Sequence, residues 1–184
     1  MENHPKNHPT NQMTPPAASA IDPKLFRKAM GCFATGVTVV TTKSDGKNEG
    51  ELHGMTVNSF TSVSMQPMLV LICLMNGART TAAIQDKGWF VVNILEEKQV
   101  ALSIRFAQPN EDRFAGVKYT LNEYDLPVLA DCVAHLVCRV HRIDPGGDHV
   151  IVIGEVVKVQ FREAAPLVFC RGAYSAVAPN PHVP

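Results

Sequence analysis

Six short polar side chains crowd into the segment Met55 to Ser64: Thr56, Asn58, Ser59, Thr61, Ser62 and Ser64, set among the apolar Val57, Phe60 and Val63. A strand with one wet face places polar residues at every second position. Thr56, Asn58, Ser62 and Ser64 keep that period, whereas Ser59 and Thr61 break it. Such a break suits a β-bulge, which re-aims side chains near a site. Short hydroxyls beside exposed N–H groups can hold a phosphate and the polar edge of a ring. An ordinary polar edge strand accounts for the composition equally well, so on residues alone both readings stand.

Three smaller clusters carry chemistry. Arg79, Thr80 and Thr81 fall at the expected start of a helix, where free N–H groups, hydroxyls and a guanidinium can gather an anion; a plain cap with a solvated arginine is the alternative. Gly146-Gly147-Asp148-His149 reads as a turn entering a strand. Turn chemistry explains its glycines but not His149, whose tautomer Asp148 can fix while the ring meets a mobile ligand. Arg171-Gly172-Ala173-Tyr174 is a second turn, either a surface hairpin or a border for the same ligand.

Cys132, His135, Cys138 and His141 recur at every third residue, a spacing that on a helix could gather a metal. The β-branched Val133, Val137 and Val140 and the alternating apolar residues make this stretch a strand, in which residues three apart point to opposite faces. No metal site is therefore expected. The sequence also lacks a G-x-G-x-x-G fingerprint, a P-loop and a G-x-S-x-G elbow, so any nicotinamide cofactor must bind without a Rossmann site.

The elements that must position these residues are mostly strands. Asp22 caps a first helix, Pro23 opens it, and Leu25, Phe26, Ala29, Met30 and Phe33 share one face. Strands are expected at Val37–Thr42, Thr56–Ser64, Met68–Met75, Trp89–Leu95, Val133–Ile143, His149–Phe161 and Leu167–Cys170, with helices at Arg79–Lys87 and Glu97–Phe106. Many strands and few helices, without βαβ alternation, give a mainly β fold: an antiparallel barrel with helical decoration.

The 184 residues suit one domain. Residues 1–20 and 178–184 are polar and proline-rich and read as tails around a domain at 21–177. With 17 basic and 17 acidic residues the net charge is zero, so no bulk field draws the chain to nucleic acid. No run nears the roughly 20 apolar residues that span a bilayer. Without a secretory core at the N-terminus, and with five cysteines in no framework spacing, the expected location is cytoplasmic.

In order along the chain stand FRKAMGCFATGVTVVTT, GMTVNSFTSVS at 54–64, LVLICL, ART at 78–80, RFA at 105–107, DRFAG at 112–116, GDH at 147–149 and RGAY at 171–174. Over about residues 25–175 this ordered set resembles the short-chain flavin reductases, which include the reductase partners of two-component monooxygenases. The resemblance implies a split β-barrel, usually a homodimer, that reduces FMN or FAD with NADH or NADPH and passes the reduced flavin to a monooxygenase. It implies flavin contacts from Thr56, Val57, Asn58, Ser59, Ser62, Val63 and Ser64, from Cys73 and Leu74, from Arg79 and Thr80 near the phosphate, from Phe106 and Ala107 beside the ring, and from Tyr174. His149 would meet the nicotinamide cofactor. Two alternatives stay open: a flavoprotein with fixed FMN acting on another small substrate, and a flavin- or haem-binding barrel without turnover. The chain departs from such proteins at Pro67-Met68, where they often carry two prolines, and at Met75-Asn76-Gly77, where they often carry charge.

Overall fold

The computed structural model describes residues 21–45, 50–109 and 112–178, so the expected tails lie outside the described residues apart from Ala178. The chain runs α1 (Pro23–Met30), β1 (Thr35–Gly36), β2 (Thr38–Lys43), β3 (Leu52–Val57), β4 (Phe60–Met65), β5 (Met68–Met75), α2 (Arg79–Lys87), β6 (Trp89–Ile94), α3 (Val100–Ala107), β7 (Tyr119–Leu121), β8 (Pro127–Leu129), β9 (Ala134–Gly146), β10 (His149–Phe161), β11 (Val168–Cys170) and β12 (Ala173–Ser175).

Seven strands form one antiparallel sheet in the order β3-β2-β6-β9-β10-β5-β4. β3 and β4 are neighbours in sequence yet stand at opposite edges of that sheet. Only Asn58 and Ser59 separate them, so the sheet must curl until its edges meet, and the result is a barrel. The expected single strand from Thr56 to Ser64 is therefore two strands that meet at a corner. The corner is tied down by Ser59, whose hydroxyl donates to the Cys73 carbonyl at 2.9 Å and accepts from the Cys73 N–H at 3.1 Å. The expected bulge lies further on: Ser62 pairs with Val70 and Ser64 with Leu69, which leaves Val63 as the extra residue.

One core fills the barrel, built from Val40, Val57, Ile72, Leu74, Phe90, Val92, Cys138 and Val152, with Ile84 of α2 as a plug. A second core lies outside it, where Val39, Leu95, Phe106, Phe114, Leu129, Cys132 and Leu167 pack together. β2 separates the two, with Val39 in one core and Val40 in the other, and this explains its unbroken VTVVTT run. Its buried threonine hydroxyls are all paired, Thr38 to Val57 O at 2.7 Å, Thr41 to Pro127 O at 2.5 Å and Thr42 to Trp89 O at 2.8 Å. The small sheet β1-β11-β12 borders the second core and supplies Phe169 and Tyr174 to it.

α3 begins three residues later than the expected Glu97, because the Gln99 side chain is engaged before the helix starts. It accepts from Glu96 N and donates to Ala130 O, both at 2.9 Å. In the Cys-His run, Cys132 and Cys138 belong to different cores, and burial pushes both thiols up to about 12. His135 faces Asn93 Oδ1 at 3.2 Å, while His141 is exposed.

Candidate functional site

α3 packs across β3 at closely matched spacing. Phe106 lies over Gly54, where an added Cβ would sit 2.5 Å from the ring. One turn earlier, Ser103 lies over Thr56 and accepts the Thr56 hydroxyl on its backbone oxygen at 2.6 Å. The wholly buried Ser103 also reaches across to the next layer, with its Oγ 2.9 Å from the Tyr174 hydroxyl. Tyr174 is aimed there by the β11–β12 hairpin, whose turn residues Arg171 and Gly172 take φ of 50° and 80°, as a two-residue type I′ turn requires. Its ring stands edge-on to Phe169, its register partner, with centroids 5.4 Å apart.

These contacts shape a cleft of about 200 Å³ lined by Val37, Thr56, Asn58, Ser103, Ala107, Phe169 and Tyr174. Four residues expected from the sequence meet here: Thr56, Asn58, Ala107 and Tyr174. Val37, Ser103 and Phe169 complete the lining without having been singled out. The cleft has two aromatic rings on one wall and hydroxyl and amide groups on the others, the surface a flat heteroaromatic ligand with a polar edge requires.

The other expected residues take different places. The side chains of Val57, Leu74 and Phe106 are buried in the cores, so only their backbones can face a ligand. Ser59 and Cys73 close the barrel corner against each other. Ser62 and Val63 are exposed on edge strand β4, and the half-buried Ser64 accepts from Gln66 N. Arg79 and Thr80 open α2 beside a second cleft of about 130 Å³, which they line with Glu51, His53, Gly54, Met55 and Arg113. Gly54 and Thr56 lie two residues apart on one face of β3, so the two clefts are about 7 Å apart along that strand.

His149 is the first residue of β10 and pairs in register with Met75, two residues beyond Cys73. Its Nδ1–H donates to Asp148 Oδ1 at 2.7 Å, and this bond holds the Asp148 carboxyl below its usual range. The tautomer is thereby fixed with Nε2 as the free ring nitrogen. The turn itself is clamped by Asn76, which donates from its side chain to Gly147 O at 3.1 Å and from its backbone to Asp148 O at 3.0 Å. Asn76 lies in the stretch that departs from the resembled proteins, and its position fits that turn rather than a ligand.

Residues 30–178 match the flavin reductase like domain. The chain belongs to the flavin reductase-like family. It is 40% identical over 169 residues to the reductase subunit HsaB of a flavin-dependent monooxygenase from Rhodococcus jostii, covering 91% of this chain and 85% of that one. It is 39% identical to a flavin reductase from Pseudomonas putida, covering 87% of this chain and 93% of that protein. Among solved structures, nitrilotriacetate monooxygenase component B from Mycobacterium thermoresistibile superimposes with a TM-score of 0.82 at 38% identity, covering 88% of this chain and 89% of that one. The NADH:FAD oxidoreductase of Streptomyces globisporus, in complex with NAD and FAD fragments, does so with a TM-score of 0.80 at 39% identity, covering 89% and 99%. The split-barrel fold and membership among flavin-reducing oxidoreductases follow from these likenesses.

Proposed function

We propose that this protein is an NAD(P)H:flavin oxidoreductase that reduces FMN or FAD and supplies the reduced flavin to a partner monooxygenase. The observation that carries the reading is the convergence of Thr56, Asn58, Ala107 and Tyr174, from three separate parts of the chain, on one cleft. Bound flavin supplies a hydride acceptor. The chain's own residues supply position: Tyr174 and Phe169 border the ring, Thr56 and Asn58 meet its polar edge, and Arg79 and Thr80 hold the phosphate. Backbone N–H groups near the barrel corner favour the negative charge that builds on the reduced ring. His149, with Nε2 free, orients the nicotinamide cofactor.

The functional unit is residues 21–177, in keeping with the family match. We also read the working form as a homodimer in the cytoplasm. Leu25, Phe26, Met30 and Phe33 around α1, with Met65, Met68 and Phe161 on the barrel, are large and exposed, and a second copy would cover such apolar surface. Five free cysteines fit a reducing compartment. No described helix is long and apolar enough to cross a membrane.

The test is oxidation of NADH and NADPH by purified protein with and without added FMN, FAD or riboflavin. Turnover that depends on added flavin is expected. His149→Ala should raise the Michaelis constant for NADH several-fold with little change for flavin. A tightly held yellow cofactor with no stimulation by added flavin, or no oxidation under any condition, would overturn the reading.

A further inference from the structure

A groove of about 470 Å³ lies between the β7–β8 hairpin and the β9–β10 pair. It shares no residue with the ring cleft or with the cleft at the start of α2. Val117, Val128, Leu129 and Ala130 give it an apolar lining, to which the half-exposed Tyr119 adds an aromatic ring.

His135 also lines the groove, and its neighbours set its tautomer. Asn93 is wholly buried, and its Nδ2 donates to Val39 O at 2.9 Å and to Thr41 Oγ1 at 3.0 Å. Its Oδ1 is thereby turned the other way, where it accepts the Leu129 N–H at 3.0 Å. The same oxygen lies 3.2 Å from His135 Nδ1. A carbonyl oxygen only accepts, so Nδ1 carries the proton and Nε2 holds a lone pair. Nε2 has no partner among the described residues. Burial first, and the charge of Arg162 second, lower the pKa of His135 and favour the neutral ring.

Gln160 is the register partner of His135, so their Cβ atoms share one face roughly 5 Å apart. Its exposed amide has no hydrogen-bond partner among the described residues. A ligand hydroxyl placed between the two can donate to Nε2 and accept from the Gln160 amide at once. The charge of the groove is one-sided. Lys118 lines it and no acidic residue does. Among the described residues Lys118 has no ion-pair partner within 4 Å. An apolar body, one hydroxyl and one negative charge would satisfy every group that faces this space.

We infer that the groove binds a hydroxylated aromatic carboxylate, with its hydroxyl between His135 and Gln160, its ring against Tyr119 and Val128, and its carboxylate toward Lys118. The site goes beyond the flavin reductase reading and does not rest on it.

Binding of 4-hydroxybenzoate, and of benzoate as the analogue without the hydroxyl, is measured by calorimetry on the full chain. Two hydrogen bonds to the hydroxyl should make 4-hydroxybenzoate bind about tenfold more tightly than benzoate. Gln160→Val, a change at an exposed strand position, should shrink that ratio to about threefold. Lys118→Gln should weaken both ligands about threefold and leave the ratio unchanged. In nitrogen-15 NMR the His135 Nε2 signal, assigned by its loss in His135→Gln, should move with 4-hydroxybenzoate and stay in place with benzoate. Saturating FMN should leave both affinities as they are. Equal affinities for the two ligands, an unmoved Nε2 signal, competition with FMN, or no binding of 4-hydroxybenzoate would each overturn the inference. None of these readouts uses NADH oxidation, so the failure of this site and the failure of the functional reading are seen separately.

Discussion

At the scale of single residues, Ser103 joins three parts of the site. Its backbone oxygen holds Thr56 and its hydroxyl meets Tyr174, so β3, α3 and β12 are linked through one side chain and its own peptide. In Ser103→Ala the Thr56 bond survives, because it uses the backbone, and only the Tyr174 hydroxyl loses its partner. A net hydrogen bond contributes about 1 kcal/mol, so the Michaelis constant for flavin should rise about fivefold while turnover changes little. Ser103→Thr should restore most of the loss. An unchanged flavin constant in Ser103→Ala would show that the Tyr174 hydroxyl needs no anchor. Ser103 was hidden in the sequence because a lone serine in the apolar run VALSIRFA looks like any helix residue. Thr56, Asn58 and Tyr174 were legible through their motifs, but nothing local announces that Arg113 turns back toward Arg79. Gly54 lies inside β3, where a glycine marks close approach of a neighbour, here Phe106, but the strand expected from the sequence starts only at Thr56.

At the scale of elements, the strands were legible wherever β-branched residues alternate or run together, as in β2, β5, β6 and β10. What the sequence could not display was the corner at Asn58 and Ser59. Two strands joined by only two residues keep the same polar and apolar texture as one, and only the sheet order reveals that they lie on opposite edges. The corner depends on the paired bonds between Ser59 and Cys73. Ser59→Ala leaves the carbonyl of the half-buried Cys73 short of a donor and should lower stability by about 1–2 kcal/mol. Urea unfolding should show a lower midpoint at unchanged slope. A reduced slope would mean instead that the barrel had opened in the native state. The late start of α3 has a similar origin, because Gln99 is drawn to Ala130, a partner distant in sequence.

At the scale of the whole molecule, one buried and one half-buried histidine make stability respond to acid. His53 lines the cleft between β3 and the start of α2, with Nε2 2.6 Å from Ser44 Oγ, and His135 is wedged beside Asn93. Both have their pKa lowered from the usual 6.5, chiefly by burial. For His53 the nearby Glu51 works in the opposite direction, while Arg79 and Arg113 add to the lowering; for His135 the added charge is Arg162. Below pH 6.5 the unfolded chain takes up protons at these sites that the folded chain resists. Stability therefore rises with pH through this range and is lost as the medium becomes more acidic. The carboxyls of Glu123, Asp148 and Glu155 are also lowered, but from usual values of 4.5, 3.8 and 4.5, so they respond only at lower pH. The melting temperature should be nearly flat from pH 8 to 7 and fall between about pH 6.5 and 5, before those carboxyls contribute. Replacing His135 with glutamine, which can keep a hydrogen bond to Asn93, should flatten part of that fall. A melting temperature that holds steady down to pH 5 in the natural protein would mean that both imidazoles accept protons within the fold as readily as in the unfolded chain.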